Sequence, residues 1–597
     1  MREFRAGTLS LYYANGFLRY IKLGESEVLR MINFMVRDQN WNTIPQVVEN
    51  EVIEHQSDSF RITYKCRARQ DAVDFLWECQ IEGTADSRLI FVINGKALKA
   101  FKGNRVGFTV LHPNKECRGK PVTIYHSDGA TEDQQFPELI SPHQPFYDIK
   151  AMKWKVGASE ARLEFSGEVF ETEDQRNWTD DSYKTYCTPL ALPFPKNLEA
   201  GDAVSQKIEL TVTGTGAVSV QPGNPQALSF KVSPEAYKLP RVGVSRSSQA
   251  NHLTGDQLDL LKQVKFDHYQ VDLLLSSEDW KFTLKEAEDE AKKLGLGLEL
   301  SLFFKNATAE VDEFIDAATN LDRIPEIIHL FDYQSRFTSN RTVNRTVDRV
   351  KAAFPKTSIG AGTNAFFTEL NRNRVDHPML DHLVYSINPQ AHAFDDLSLV
   401  ENLYAQTDTV NTANSFSGGR AIRISPVTFK MRWNPNATES AAPHPNDAVD
   451  HRQATLFGAG WLLGSLQNLV STKLASVTYF EAVGPKGIIS ETLYPMYFVF
   501  KYLLDRKEKT FRPIRCPDPL SLGGLVTGDR ELVLVNFTNR DISVKLPVEW
   551  KNCRAYFMDV DNVWKLMNRQ IQFDNLNLRE IKGSVGLTAY ALAFLSK

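Results

Sequence analysis

Residues 269–303 read YQVDLLLSSEDWKFTLKEAEDEAKKLGLGLELSLF. Two short apolar runs, YQVDLLL and GLELSLF, flank a segment in which Leu284, Ala287, Ala291 and Leu294 recur at spacings of three and four. That spacing puts all four on one helical face, and Gly295 supplies the residue that most readily ends a helix in the left-handed conformation. The stretch is therefore strand, helix, strand, the unit of a parallel sheet.

The unit repeats on both sides. Upstream, RVGVS at 241–245 precedes a helix opened by Thr254, with Gln257 three residues on in the reciprocal capping arrangement. Downstream, EIIHLF, SIGAG, LVYSI, AIRISPVT and SVTYF follow as short apolar strands. Eight strands in roughly 240 residues match a (β/α)8 barrel, the TIM barrel. An open doubly wound sheet is the alternative, but no glycine-rich phosphate turn follows the first strand.

On either side of this segment the pattern is all β. FRITYKCRAR, DFLWECQIEG, RLIFVINGKAL, ARLEFSGEVFE and KIELTVTG alternate with period two, as do ELVLVNFT, RAYFMDV and YALAFL near the end. The expected fold is multidomain α/β plus all-β: an N-terminal β-sandwich over 1–235, a (β/α)8 barrel over 236–505 and a small C-terminal β-sandwich over 506–597. A chain of 597 residues needs several cores.

Charge excludes some functions. A net charge of −4 without a local Lys/Arg block gives no field for nucleic acid. No apolar run of about 18 residues occurs and the N-terminus lacks a signal-peptide core, so no membrane contact and a cytoplasmic location are expected. The six cysteines are scattered without a CxxC pair, consistent with a reducing compartment.

The densest chemistry lies at 170–195, FETEDQRNWTDDSYKTYCTPLALPFP. Strand alternation from Ala161 to Val169 puts Leu163, Phe165, Gly167 and Val169 on one face, and the same parity continued presents Glu171 and Glu173. An apolar face that becomes carboxylates, then Arg176, Trp178 and Lys184, reads as the floor of a polar pocket, with a solvated surface hairpin as the plain alternative. The Phe170 to Tyr186 loop is expected to close over the barrel mouth.

Barrel enzymes place their chemistry at the C-terminal ends of the strands. Those exits carry His329, Asp332 and Gln334 in the fourth strand, Asn364 and Glu369 after the fifth, Asn388, Gln390 and His392 after the sixth, Lys430, Arg432 and Trp433 after the seventh, and Glu481 in the eighth. Carboxylates, amides and cations at successive exits suit a small polyhydroxylated or anionic ligand. The N-terminal domain adds Arg105, His112, His126, Asp128 and His143. The histidine spacings fit no compact ligand motif, so positioning roles are expected, with no metal and no cofactor. No G-x-S-x-G elbow, H-E-x-x-H or P-loop occurs, which disfavours serine hydrolases, zincins and nucleotide enzymes.

RVGFTVLHP, HSDG, FPELISPHQPF, GEVFETEDQRNWTDDSYKTY and LALPFP, followed by a barrel containing SINPQAHAFDD, resemble the D-apionate lactonase family of bacterial branched-pentose catabolism. The resemblance runs from Leu89 to Glu481 and implies a cytoplasmic enzyme opening D-apionolactone to D-apionate. It carries no residue roles.

Three readings follow, the last a non-catalytic carbohydrate-binding protein, since the same polar pocket could bind without reacting. Lactone hydrolysis needs a base, an oxyanion donor and a proton for the leaving alkoxide. Glu173, Asp174, Asp332 or Glu481 could serve as base, with Arg176, Lys184 or a histidine as oxyanion donor. His126, His143, Trp178, Lys184, Asn388, His392, Lys430 and Arg432 are the expected substrate contacts, the substrate being a sugar lactone or a glycoside. The second reading is a retaining glycoside hydrolase with Asp332 and Glu481 as acid and nucleophile. Against it, the fourth strand ends in Phe-Asp-Tyr and the seventh has no acid.

Overall fold

A computed structural model describes residues 1–214, 227–249, 252–433 and 448–597. Two compact units emerge among them: Met1–Arg176 with 181–214, and Asn177–Asp180 with the described residues from 227 onward.

The second unit contains the barrel. Its strands are β1 (Arg241–Ser245), β2 (His268–Leu274), β3 (Gly297–Phe304), β4 (Ile327–Asp332), β5 (Ser358–Gly362), β6 (His382–Ile387), β7 (Ala421–Val427) and β8 (Ser476–Val483). Each pairs in parallel with the next, and β1 pairs with β8, so the eight strands close into a barrel. All eight apolar runs are strands. Every residue of β3 and β6 is buried, because helices cover one face and the barrel interior the other. Thr254 and Gln257 form the capping box of the Gly255–Lys262 helix. The Trp280–Leu294 helix buries Leu284, Ala287, Ala291 and Leu294 and ends at Gly295, whose φ is 74°.

The barrel interior is polar as well as apolar. Glu299, His268, His329 and His382 are fully buried. Glu299 Oε1 accepts from Ser425 Oγ at 2.6 Å and lies 3.1 Å from His329 Nε2, while His329 Nδ1 meets His382 Nε2 at 2.9 Å. Two glycines make room for these rings: a Cβ on Gly243 would fall 2.1 Å from His268, and one on Gly360 the same distance from His382. His329, placed at a strand exit by sequence, is thus an interior residue.

In the first unit, antiparallel ladders join seventeen strands. Strands such as Phe60–Gln70, Val73–Thr84 and Ser159–Ser166 bury alternate residues, and the inward set, including Phe34, Phe75, Trp77, Phe91 and Leu163, forms one apolar cluster. The expected alternation into the acidic run does not persist. Gly167 has φ 93° and turns the chain, with no room for a Cβ, which would lie 2.0 Å from Ser205 O. Phe170–Asp174 is a new strand paired with Ser182–Tyr186, and all five of its residues are buried. Glu171 and Glu173 therefore do not continue the face of Leu163 and Phe165, and the run is no solvated hairpin.

After the barrel, six strands between Phe511 and Ser596 form a seven-stranded sheet with Lys231–Val232, while Ile542–Lys545, Ser584–Leu587 and Leu228–Ser229 form a three-stranded one. Both sheets contribute to a core around Phe230, Leu532, Val544, Trp550 and Leu587. The short strands before residue 235 thus pair with strands at Phe511–Arg515 and Ile542–Lys545. Among the described residues no helix is long and apolar enough to cross a membrane.

Candidate active site at the barrel mouth

A cavity of about 440 Å³ opens at the C-terminal ends of β1, β2, β7 and β8. Glu481 reaches it through an irregularity in β8: the register with β1 shifts between Val244 and Ser245, and the preceding Phe480 has φ 45°. Such a bulge re-aims the following side chain. The sequence then turns tightly through EAVGPKG. Gly484 adopts φ 93° and Glu481 N donates to Lys486 O, which folds Lys486 back beside Glu481.

Three side chains meet there. Glu481 Oε1 lies 3.0 Å from Lys486 Nζ and accepts from Ser248 Oγ at 2.7 Å; Oε2 accepts from the Ser248 backbone N–H at 3.2 Å. Lys486 Nζ donates to the same Ser248 Oγ at 2.5 Å. The Glu481 and Lys486 side chains are 12% and 17% exposed and line the cavity, and Ser248, which joins them, is exposed at its rim. The carboxylate was expected at the β8 exit. Ser248 and Lys486 were not, because their approach depends on the β1–β8 closure across 238 residues of sequence.

A second polar group lines the same cavity. Asp272 on β2 is ion-paired with Arg432 and accepts from Gln270 Nε2 at 2.7 Å; Lys430 also lines the wall. Trp433 donates from Nε1 to Asn364 Oδ1 at 3.1 Å, and the Arg336 guanidinium stacks on its ring at 3.4 Å. Burial pushes the Arg336 pKa below its ordinary value. Arg336 Nη1, Arg432 Nη1 and Asn364 Nδ2 are buried without a hydrogen-bond partner among the described residues.

At the β5 and β6 exits, Trp178 packs against Ala365, Phe366, Ala391 and Met431, with Arg372 over its ring. His392 Nδ1 lies 2.6 Å from Asp180 Oδ2, and Asn402 Nδ2 donates to the other carboxylate oxygen at 3.1 Å. Trp178 and His392 were expected substrate contacts, and Asp180 belongs to the same acidic run; its pairing with His392 is visible only in the fold. Asn388 Oδ1 accepts from Gln390 N at 3.4 Å, and Gln390 in turn donates to Asp450.

Asp332 is placed differently from expectation. Its carboxylate accepts from Ser339 N at 2.7 Å and Thr342 Oγ1 at 2.5 Å, tying it to the first turn of the Asn340–Ala353 helix, and it is absent from the cavity wall. Glu369 accepts from Phe366 N at 2.8 Å, and burial raises its pKa to about 7.

The remaining candidates lie in the first unit. Arg176 donates to both oxygens of Asp174 at 2.9 and 2.8 Å, and to Pro137 O and Glu138 O; neither side chain has exposed surface. Glu173 is ion-paired with its cross-strand neighbour Lys184, and Glu171 accepts from Tyr186 Oη at 2.5 Å. His126 Nδ1 meets Asp148 O at 3.1 Å and His143 is exposed, whereas His112 is fully buried against Thr185, Phe136 and Trp154. Burial lowers the His112 pKa to about 3. Among the described residues no group of three or more His, Cys, Asp or Glu side chains could hold a metal ion.

The N-terminal domain of D-apionate lactonase matches residues 1–215, and the TIM barrel domain of the same enzyme matches residues 242–508. The chain belongs to the D-apionate lactonase family. A D-apionate lactonase from Brucella anthropi is 29% identical over 574 residues, covering 91% of this chain and 93% of the relative. Solved structures are more distant. A β-arabinopyranosidase covers both chains fully at 10% identity and a TM-score of 0.34; a β-glucuronidase from Ruminococcus gnavus bound to D-glucuronic acid covers 70% of this chain and 88% of its own, at 9% identity and 0.31. The family match reaches the Glu481–Lys486 turn and Ser248 within a single domain, the barrel.

Proposed function

We propose that this family member is a lactone hydrolase that opens a sugar-acid lactone, D-apionolactone to D-apionate, at the barrel mouth in cytoplasmic pentose catabolism. The observation that carries the reading is the Glu481–Lys486–Ser248 group facing a 440 Å³ cavity, a volume suited to a small sugar. Glu481 takes the proton of the attacking oxygen, and the Lys486 ammonium stabilises negative charge on the lactone carbonyl oxygen. Arg432 and Lys430 hold the substrate's oxygens. Of the other sequence candidates, Asp174 and Arg176 serve the fold of the N-terminal sandwich, because their hydrogen-bonding valences go to protein groups. Glu173 and Lys184 pair with each other, and Asp332 holds the Ser339 cap and first turn of a helix. The division into sandwich, barrel and C-terminal sandwich at 235 and 505 belongs to the same proposal.

The glycosidase reading needs a second carboxylate beside Glu481, and the engagement of Asp332 with Ser339 and Thr342 weighs against it. The test is an assay of purified, chelator-treated protein against a panel of aldonolactones and aryl glycosides. Proton release from lactones with no release of aryl alcohol is the expected result. Cleavage of glycosides with inert lactones would overturn the proposal.

A further inference from the structure

We infer that Ser248 is the nucleophile and that the lactone is opened through an ester of its Oγ. This rests on the lactonase reading and specifies the attacking oxygen. Ser248 borders the cavity, and its Oγ sits between an acceptor and a donor: it gives its hydrogen to Glu481 Oε1 at 2.7 Å and receives one from Lys486 Nζ at 2.5 Å. The serine backbone N–H also reaches Glu481 Oε2 at 3.2 Å, so the carboxylate grips Ser248 by both its N–H and its O–H. A carboxylate that receives the hydroxyl hydrogen and a cation beside the same oxygen are the two supports an alcohol nucleophile needs, and they can act without a nucleophile-elbow motif.

The steps balance. Glu481 removes the Ser248 hydroxyl proton as Oγ bonds to the lactone carbonyl carbon, and the resulting oxyanion lies against Lys486. Collapse breaks the bond between that carbon and the ring oxygen, which leaves with the proton held by Glu481. The product of this half is an ester of Ser248 whose acyl chain carries the freed hydroxyl. Water, losing a proton to Glu481, then attacks the ester carbonyl. Ser248 leaves with that proton, and the hydroxy acid is released. Water is the co-substrate, and no oxidant or reductant is required.

The experiment uses the full chain with D-apionolactone in a rapid acid quench, intact-mass measurement and peptide mapping, on wild type, Ser248→Ala and Ser248→Cys of matched melting temperature. The expected result is an adduct of one lactone mass on Ser248 of wild type or, as a longer-lived thioester, on residue 248 of Ser248→Cys. In Ser248→Ala the adduct is lost and kcat falls by about 10³-fold or more. If wild type turns over lactone but no adduct forms in either nucleophile-bearing protein at any quench time, the inference is overturned whatever the rate of Ser248→Ala, and Glu481 activates water directly. If wild type opens no lactone, the functional reading itself fails.

Discussion

Asp174 with Arg176, and Glu481 with Lys486, are the same chemical pair in opposite surroundings. In the N-terminal unit the guanidinium donates to both carboxylate oxygens and to two backbone carbonyls, its face lies 4.8 Å from the Tyr183 ring centre, and neither side chain meets solvent. In the barrel the ammonium and carboxylate share a serine hydroxyl and border a cavity. Both carboxylates are bonded to protein groups; the first pair is sealed from solvent, while the second borders a cavity that a ligand and water can enter. Composition does not separate the two pairs. Access does.

The sharpest break of this comparison is Arg176→Ala. Removing one partner of a buried pair strands the other charge, so stability should fall by about 3–5 kcal/mol while turnover per folded molecule stays unchanged. Denaturant melts and kcat on one preparation check both halves, and a stable variant with lost rate would reverse the assignment. Lys486→Met should do the opposite: kcat falls by about 10²- to 10³-fold, with a melting temperature close to wild type, because its pair lies at the cavity wall.

Titration gives a weaker handle on the same contrast. His112 in the first unit, and His268 and His382 in the barrel, are fully buried, and desolvation holds each below the ordinary imidazole pKa. The unfolded chain therefore binds protons first as pH falls below about 6.5. Stability is full above that pH and declines below it, down to about pH 3 for His112. Melting temperature measured from pH 8 to 4 should drop on the acid side; a flat profile would contradict the neutral assignment. Glu369 has the reverse sign. Its pKa is raised to about 7 by burial, so the folded state binds the extra proton and its contribution weakens as pH rises from about 4.5 through 7. Glu369→Gln should remove that small loss, visible as a gain in melting temperature at pH 8 and little change at pH 5.

The barrel was legible because its strands are buried on both faces and so read as uninterrupted apolar runs, and because Thr254, Gln257 and Gly295 mark helix ends by chemistry that acts locally. The acidic run misled through one residue. Gly167 adopts a conformation that period-two counting cannot see, and every later parity assignment fails with it. Asp332 looked catalytic from its position after a strand, yet Ser339 and Thr342 follow closely enough to claim it. Glu481 lines the cavity where the sequence put a carboxylate, because a carboxylate at a strand exit is visible in one dimension. The approach of Ser248 and Lys486, and the pairing of Asp180 with His392, could not be read in advance because these contacts form only after the chain folds back on itself.

If reactivity follows the cavity-facing pair, isosteric substitution at the two carboxylates separates them. Glu481→Gln and Asp174→Asn are compared in one D-apionolactone proton-release assay, with kcat normalised to folded protein. Glu481→Gln should lose about 10²- to 10⁴-fold while Asp174→Asn keeps near-normal turnover at a lower melting temperature. Near-normal turnover in Glu481→Gln, with the rate lost in Asp174→Asn, would contradict it.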